Sequence, residues 1–236
     1  MSKKIIFSGG GTGGHIFPAI NLMNHFLEME YKVILATDKR GNNFIQDISK
    51  FQSYVLSVNT SNNKNLLKKL FSYFLIFYSI IRSIFILIKE KPDLVFGLGG
   101  YVSFPISFAS GLLNIPLIIY ENNMVLGRAN RYLSFFSKKI LVAKKISKNF
   151  PEKYKSKMHV VGPILDKRVL NFQLDKEKSN KDFFSILVLG GSQGAEIFGK
   201  IIPEVIKKLK DSGNKIEINQ QCIANQKNFI SDFYNK

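Results

Sequence analysis

The segment that most constrains this chain is its opening 29 residues. Lys4-Ile-Ile-Phe-Ser8 is a short apolar run that stops at a cluster of glycines, and Ile16, Ile20, Met23 and Leu27 then recur at helical spacing within Ile16–Met29. A wholly apolar strand followed by a glycine turn and an amphipathic helix is the first half of a parallel βαβ unit, because a strand buried on both faces has no reason to alternate with polar residues. The same grammar continues. Tyr31–Thr37, Tyr54–Val58, Leu94–Phe96, Pro116–Tyr120 and Lys139–Ala143 read as further short strands, each separated from the next by a helical or glycine-rich stretch. Strand–helix alternation of this kind predicts an α/β fold with a parallel sheet. The pattern then restarts: a strand at Phe183–Leu189, a helical run from Ala195 to Lys210, a strand at Lys215–Gln220 and a last helix at Ala224–Tyr234. Polar, lysine-rich Asp166–Asp182 separates the two halves. The expectation is two Rossmann-like domains, residues 1–163 and 164–236. The second is incomplete, since Phe183–Lys236 cannot supply the strands of a doubly wound sheet.

The glycine turns carry the chemistry. Ser8-Gly9-Gly10-Gly11-Thr12-Gly13-Gly14-His15 links strand one to helix one. Glycines there let the backbone turn sharply and approach a ligand, and the free N–H groups and dipole of the helix start favour phosphate. Thr12 adds a hydroxyl. A glycine turn can serve turning alone, and the strand–loop–helix context is what favours the phosphate reading. No Gly-Lys-Ser/Thr follows, so this is not a P-loop, and the dinucleotide fingerprint with an acid closing strand two is read as absent. His15 closes the loop, as either a packing and capping histidine or a base aimed into a cleft. Similar turns occur at Gly97-Leu98-Gly99-Gly100-Tyr101-Val102-Ser103 and Gly190-Gly191-Ser192-Gln193-Gly194-Ala195. All three fall at C-terminal ends of strands, where α/β proteins bind ligands, and are expected to rim one crevice suited to diphosphate-bearing substrates.

The charge is lopsided. With 34 Lys and Arg against 17 Asp and Glu the net charge is +17, which favours an anionic partner. Lys64–Lys91 holds six basic residues and one acid, Glu90, while Lys138–Lys157 holds eight and one acid, Glu152. Between the first set lies Phe71–Ile88, nearly long enough to span a bilayer. Arg82 inside it, and sheet strands on either side, argue against spanning. Two readings stay equally open: a helix with one face on the sheet and the other on lipid, ringed by Lys64, Lys68, Lys69, Lys89 and Lys91, or a fully buried core helix. No aromatic RNA-binding signature, zinc spacing or helix-turn-helix supports a nucleic-acid partner. Cys222 is the single cysteine, which excludes an internal disulfide and fits a reducing, cytoplasmic compartment. No secretory signal is visible at the N-terminus, and no metal-ligand cluster appears.

Gly10-Gly-Thr-Gly-Gly-His-x-x-Pro-Ala19, Gly99-Gly-Tyr-Val-Ser103 and Gly190-Gly-Ser-Gln-Gly-Ala195, in this order and spacing, resemble the three glycine loops of the bacterial peptidoglycan N-acetylglucosaminyltransferase family. The resemblance covers essentially the whole chain. It implies a GT-B glycosyltransferase fold that works without a cofactor or bound catalytic metal. It implies transfer of N-acetylglucosamine from UDP-N-acetylglucosamine to undecaprenyl-diphosphate-linked N-acetylmuramoyl-pentapeptide, with inversion, by a protein bound peripherally to the anionic cytoplasmic face of the membrane. By position it makes His15 the catalytic base or electrostatic aid. Thr12, Gly13, Gly14, Asn123 and Ser192 become donor contacts, and Tyr101 and Glu121 position the acceptor. For Glu121 a purely structural role, tying down the Asn-rich turn, is equally open.

The chain departs from the family pattern. Tyr120 stands where the family has histidine. Gly162-Pro-Ile-Leu-Asp166, after a Val-Val-Gly strand, replaces Gly-Asn-Pro-x-Arg, leaving Lys167 or Arg168 as substitutes for the missing arginine. Members run about half again as long and carry a sugar-gripping acid and paired glutamines that are absent here. The expectation is therefore impaired transfer, the alternative being the non-catalytic, membrane- and acceptor-binding half of a split glycosyltransferase.

Overall fold

The structure is a computed structural model of the chain and describes residues 2–44, 51–58, 66–146, 150–172, 182–191 and 195–235. The chain divides into two compact units, Met1–Phe172 and Gln173–Lys236. Residues 164–172 belong with the first: Ile164 packs against its core, and Lys167 pairs with Glu28.

The first unit is a seven-stranded, all-parallel sheet in the order β3-β2-β1-β4-β5-β6-β7. Its strands are β1 (Lys4–Ser8), β2 (Lys32–Thr37), β3 (Gln52–Val55), β4 (Leu94–Gly97), β5 (Leu117–Glu121), β6 (Lys139–Val142) and β7 (Met158–Val160). The helices are α1 (Gly13–Glu28), α2 (Lys39–Asn42), α3 (Leu66–Glu90), α4 (Ser103–Leu112), α5 (Arg128–Leu133) and α6 (Lys167–Leu170). Successive strand side chains point to opposite faces, so each face has its own core. Ile5, Phe7, Val33, Leu35 and Phe96 pack with Ile16, Ala19 and Met23 of α1, while Ile6, Ile34, Val95 and Ile119 pack with Ile86 and Leu87 of α3 and Ile106 and Ala109 of α4. Burial on both faces is why these strands read as unbroken apolar runs. The order reverses between β1 and β4, and that switch point fixes where the loops after both strands emerge.

Helix α3 is neither a buried core helix nor free of the sheet. Ser79, Ser83, Ile86, Leu87 and Glu90 are buried. Ser79 donates to the Ser57 carbonyl at 2.8 Å and Arg82 to that of Val55 at 2.8 Å. The Glu90 carboxylate accepts from the Tyr54 hydroxyl at 2.6 Å, from Gln52 at 3.1 Å and from Lys4 at 3.0 Å. The Tyr54 phenol, desolvated and hydrogen-bonded to that carboxylate, is pushed up to about 12, and the Tyr54 bond is the leading reason Glu90 is held below the usual carboxylate range. The opposite stripe, Leu70, Phe74, Phe77, Ile81, Phe85 and Ile88, is exposed along its whole length, from 38% at Ile81 to 67% at Phe85. Spacings of three and four residues put these side chains in one row. Lys64, expected at the N-terminal end of this helix, lies outside the described residues.

In the second unit β8 (Phe184–Val188) pairs in parallel with β9 (Ile216–Gln220), with α7 (Glu196–Asp211) and α8 (Lys227–Tyr234). Gly199, Pro203 and Ile206 of α7 and Ile230 of α8 are buried, while Phe184, Leu187 and Leu189 remain exposed.

Candidate active site

The loops after β1 and β4 meet. His15, in the first turn of α1, places Nδ1 3.0 Å from the Leu98 carbonyl oxygen. A carbonyl only accepts, so Nδ1 carries the proton and, in the neutral ring, Nε2 keeps its lone pair. Two glycines make this contact possible. Gly99 and Gly100 have φ of +88° and +76°, a region that costs other residues strain. A Cβ on Gly99 would lie 3.0 Å from the His15 ring, and one on Gly100 would lie 2.8 Å from the Gly10 carbonyl oxygen. The histidine is thus clamped between loops rather than left to rotate.

His15, Tyr101, Glu121 and Asn123 line one cavity of about 410 Å³, together with Gly99, Gly100, Arg128 and Asn130. Glu121, at the end of β5, is 3% exposed. Its Oε1 accepts from the Asn123 amide at 3.1 Å and side chain at 2.9 Å, and its Oε2 from the Gly127 amide at 2.9 Å and the Asn130 side chain at 3.0 Å. Four N–H donors on one carboxylate organise the whole turn from 121 to 130. Thr12, Gly13 and Gly14 do not line this cavity. They open α1 next to His15, and Thr12 caps the helix without a side-chain bond, so its exposed hydroxyl stays available. First-turn N–H groups of a helix have no intrahelical acceptor. Ser192 lies outside the described residues.

The first loop differs from its sequence reading. Gly9, Gly11 and Gly14 do have the dinucleotide spacing, and Asp38 does close β2. The carboxylate is turned inward, however: Asp38 Oδ1 accepts from the Gly11 amide at 2.9 Å and from the Gly41 amide at 2.8 Å. An acid held this way is not free to take a ribose hydroxyl, and one loop amide expected to bind phosphate is already occupied.

The substitutes for the missing arginine are also engaged. Arg168 forks onto Asp166 at 3.0 and 2.8 Å, and Asp166 in turn caps α6 through the Arg168 amide. The Arg168 side chain, then its amide, holds the Asp166 carboxyl at about 2. Lys167 pairs with Glu28. Both line a larger cavity of about 770 Å³ along the C-terminal half of α1, away from His15. Tyr120 is a core residue of the α1 face whose hydroxyl lies 3.2 Å from the Gly162 carbonyl, and burial raises its pKa. Arg128 and Asn130 gave no sequence signal, because they sit in a one-and-a-half-turn helix with no periodicity to mark it. Among the described residues no group of three or more His, Cys, Asp or Glu could hold a metal ion.

A Rossmann-like parallel sheet with glycine loops converging on a histidine at its switch point is the architecture of the N-terminal half of a GT-B glycosyltransferase. The N-terminal domain of glycosyltransferase family 28 matches residues 5–142, and the chain belongs to this family. It is 35% identical over 236 residues to the UDP-N-acetylglucosamine–N-acetylmuramyl-(pentapeptide) pyrophosphoryl-undecaprenol N-acetylglucosamine transferase of Rickettsia canadensis (strain McKiel), covering 99% of this chain and 65% of that one. It is 36% identical over 231 residues to the protein of the same name from Pelagibacter ubique (strain HTCC1062), covering 98% and 63%. The crystal structure of Acinetobacter baumannii MurG superposes with a TM-score of 0.73 at 26% identity, over 99% of this chain and 65% of that one. The chain therefore spans about 65% of the length of the relatives it matches.

Proposed function

We propose that the first unit holds a lipid-linked N-acetylmuramoyl-pentapeptide in the His15 cavity, and that the protein serves the transfer of N-acetylglucosamine onto it from UDP-N-acetylglucosamine. The observation that carries this reading is the locked tautomer of His15. With Nδ1–H fixed on the Leu98 carbonyl, Nε2 is the basic nitrogen, poised to take the proton of an acceptor hydroxyl. That hydroxyl oxygen bonds to the anomeric carbon, the bond from that carbon to the UDP oxygen breaks, and the configuration inverts. Thr12, Gly13, Gly14, Asn123 and Ser192 are the proposed donor contacts, their N–H and O–H groups stabilising charge on the leaving diphosphate. Tyr101 positions the acceptor directly. Glu121 does so through the turn it organises.

The apolar stripe of α3, with Lys68, Lys69 and Lys89 exposed on the same helix, is the proposed membrane face. Burying such a stripe at the headgroup boundary while lysines meet anionic lipid is the recognised mode of peripheral binding. On this reading the protein sits peripherally at the cytoplasmic face of the membrane.

The test measures binding of the lipid-linked acceptor in anionic vesicles and transfer of labelled N-acetylglucosamine from UDP-N-acetylglucosamine. The acceptor is expected to bind, with slow transfer, because the described second unit offers only two strands of a donor domain. His15→Gln should keep acceptor binding and lower whatever transfer is measured by about a hundredfold or more. Failure of the protein to bind the acceptor would overturn the reading.

A further inference from the structure

We infer that Arg128 binds the diphosphate of the lipid-linked substrate, an assignment that rests on the acceptor reading above. Among the described residues Arg128 is the only permanently charged cation lining the His15 cavity. It is exposed, and among the described residues it has no ion pair, whereas Lys4, Lys167 and Arg168 are each matched to a carboxylate. The acid in the same cavity, Glu121, already accepts four hydrogen bonds, and its oxygens face the turn rather than the guanidinium. An unmatched guanidinium beside a cavity is a planar fork suited to phosphate oxygens.

Two further features point to the ligand. Gly99 and Gly100 are consecutive left-handed residues on the cavity wall, and neither amide donates to protein among the described residues. Both N–H groups therefore remain available to donate to an anion. Asn130, 2% exposed, donates from Nδ2 to the Tyr120 carbonyl and to Glu121, while its buried Oδ1 has no partner. The lipid carrier is favoured over a nucleoside diphosphate by the turn that delivers Arg128: Met124 and Val125 are 54% and 53% exposed there, giving the diphosphate an apolar neighbour.

Calorimetric titration of the full 236-residue chain tests the assignment. Three probes are compared: a short-chain prenyl-diphosphate-linked muramoyl-pentapeptide, the same muramoyl-pentapeptide without phosphate, and UDP. Arg128→Gln is expected to weaken binding of the first about tenfold, the loss of one charge-assisted contact, and to leave the other two unchanged. Arg128→Lys, which keeps the charge but not the fork, is expected to lose only about two- to threefold. Circular dichroism checks that both variants keep the wild-type fold. Equal binding of the prenyl diphosphate by wild type and Arg128→Gln overturns the assignment and leaves the acceptor reading intact. A parallel loss of UDP binding overturns it in favour of the donor. If the wild type binds neither muramoyl probe, the acceptor reading fails and takes the assignment with it.

Discussion

Gly100 and His15 show how little tolerance the site has at the scale of single residues. A methyl group on Gly100 meets the Gly10 carbonyl oxygen at 2.8 Å and sits on a backbone with φ of +76°. Gly100→Ala is therefore expected to cost about 1–3 kcal/mol, visible as a lower Tm, and to loosen His15 from Leu98. The latter would appear as altered NMR shifts of the imidazole, and an unchanged Tm would refute the strain. Tyr54 yields a prediction of different sign. Its pKa is raised to about 12 in the folded chain, chiefly by burial, against about 10 when unfolded. The folded state holds that proton more tightly, so the contribution is full below pH 10 and disappears as pH climbs from about 10 to about 12. Tyr54→Phe should lower Tm at neutral pH and flatten its fall across that window, as followed by thermal melts at stepped pH.

Among the elements, α3 separates what composition reveals from what only packing reveals. Its length and apolar content were plain in the sequence. Whether its second face met protein was not, because serines at 79 and 83 look like surface residues until their hydroxyls are seen bonded to Ser57 and to the preceding turn. Small polar residues with internal partners can be buried as readily as alanine. The bare row of Leu70, Phe74, Phe77, Ile81, Phe85 and Ile88 is the complement of that buried face. Phe74→Glu with Phe77→Glu should reduce co-sedimentation with anionic vesicles at least about a hundredfold, each phenylalanine contributing roughly 1.5–3 kcal/mol of apolar transfer, while Tm stays within about a degree. A large fall in Tm with unchanged vesicle binding would mean the stripe covers protein instead.

For the whole molecule, the parallel sheet and the order of its elements were legible because each strand is buried on both faces, and burial writes itself as an apolar run. The glycine loops were legible because their backbone geometry admits few other residues. What escaped was everything held by single side chains between distant segments. Asp38 folding back on Gly11 is one such tie; for Glu121 a structural hold on the Asn-rich turn was open in the sequence, but its bonds to Gly127 and Asn130 were not legible there. Arg128, which ties nothing, escaped for another reason: nothing local to it distinguishes the proposed ligand-facing arginine from a solvated one. The second unit shows the opposite case. Its strand and helix signals were clear, yet a two-stranded parallel sheet leaves Phe184, Leu187 and Leu189 exposed, and parallel sheets are ordinarily covered on both faces. The chain is thus expected to bind the apolar dye ANS while folded. Leu187→Ser should lower that fluorescence without lowering Tm, and a silent wild type would show the face to be covered.

Asp38 gives the first glycine loop a resident anion. With its carboxylate clasping the Gly11 and Gly41 amides, the bend keeps its shape in the empty protein, so substrate arrival need not freeze a floppy segment. The same tether sets a polarity along the loop: negative charge already sits at its β2 end, so a phosphate bound as proposed would be turned toward the Thr12–Gly14 end and the histidine beyond it.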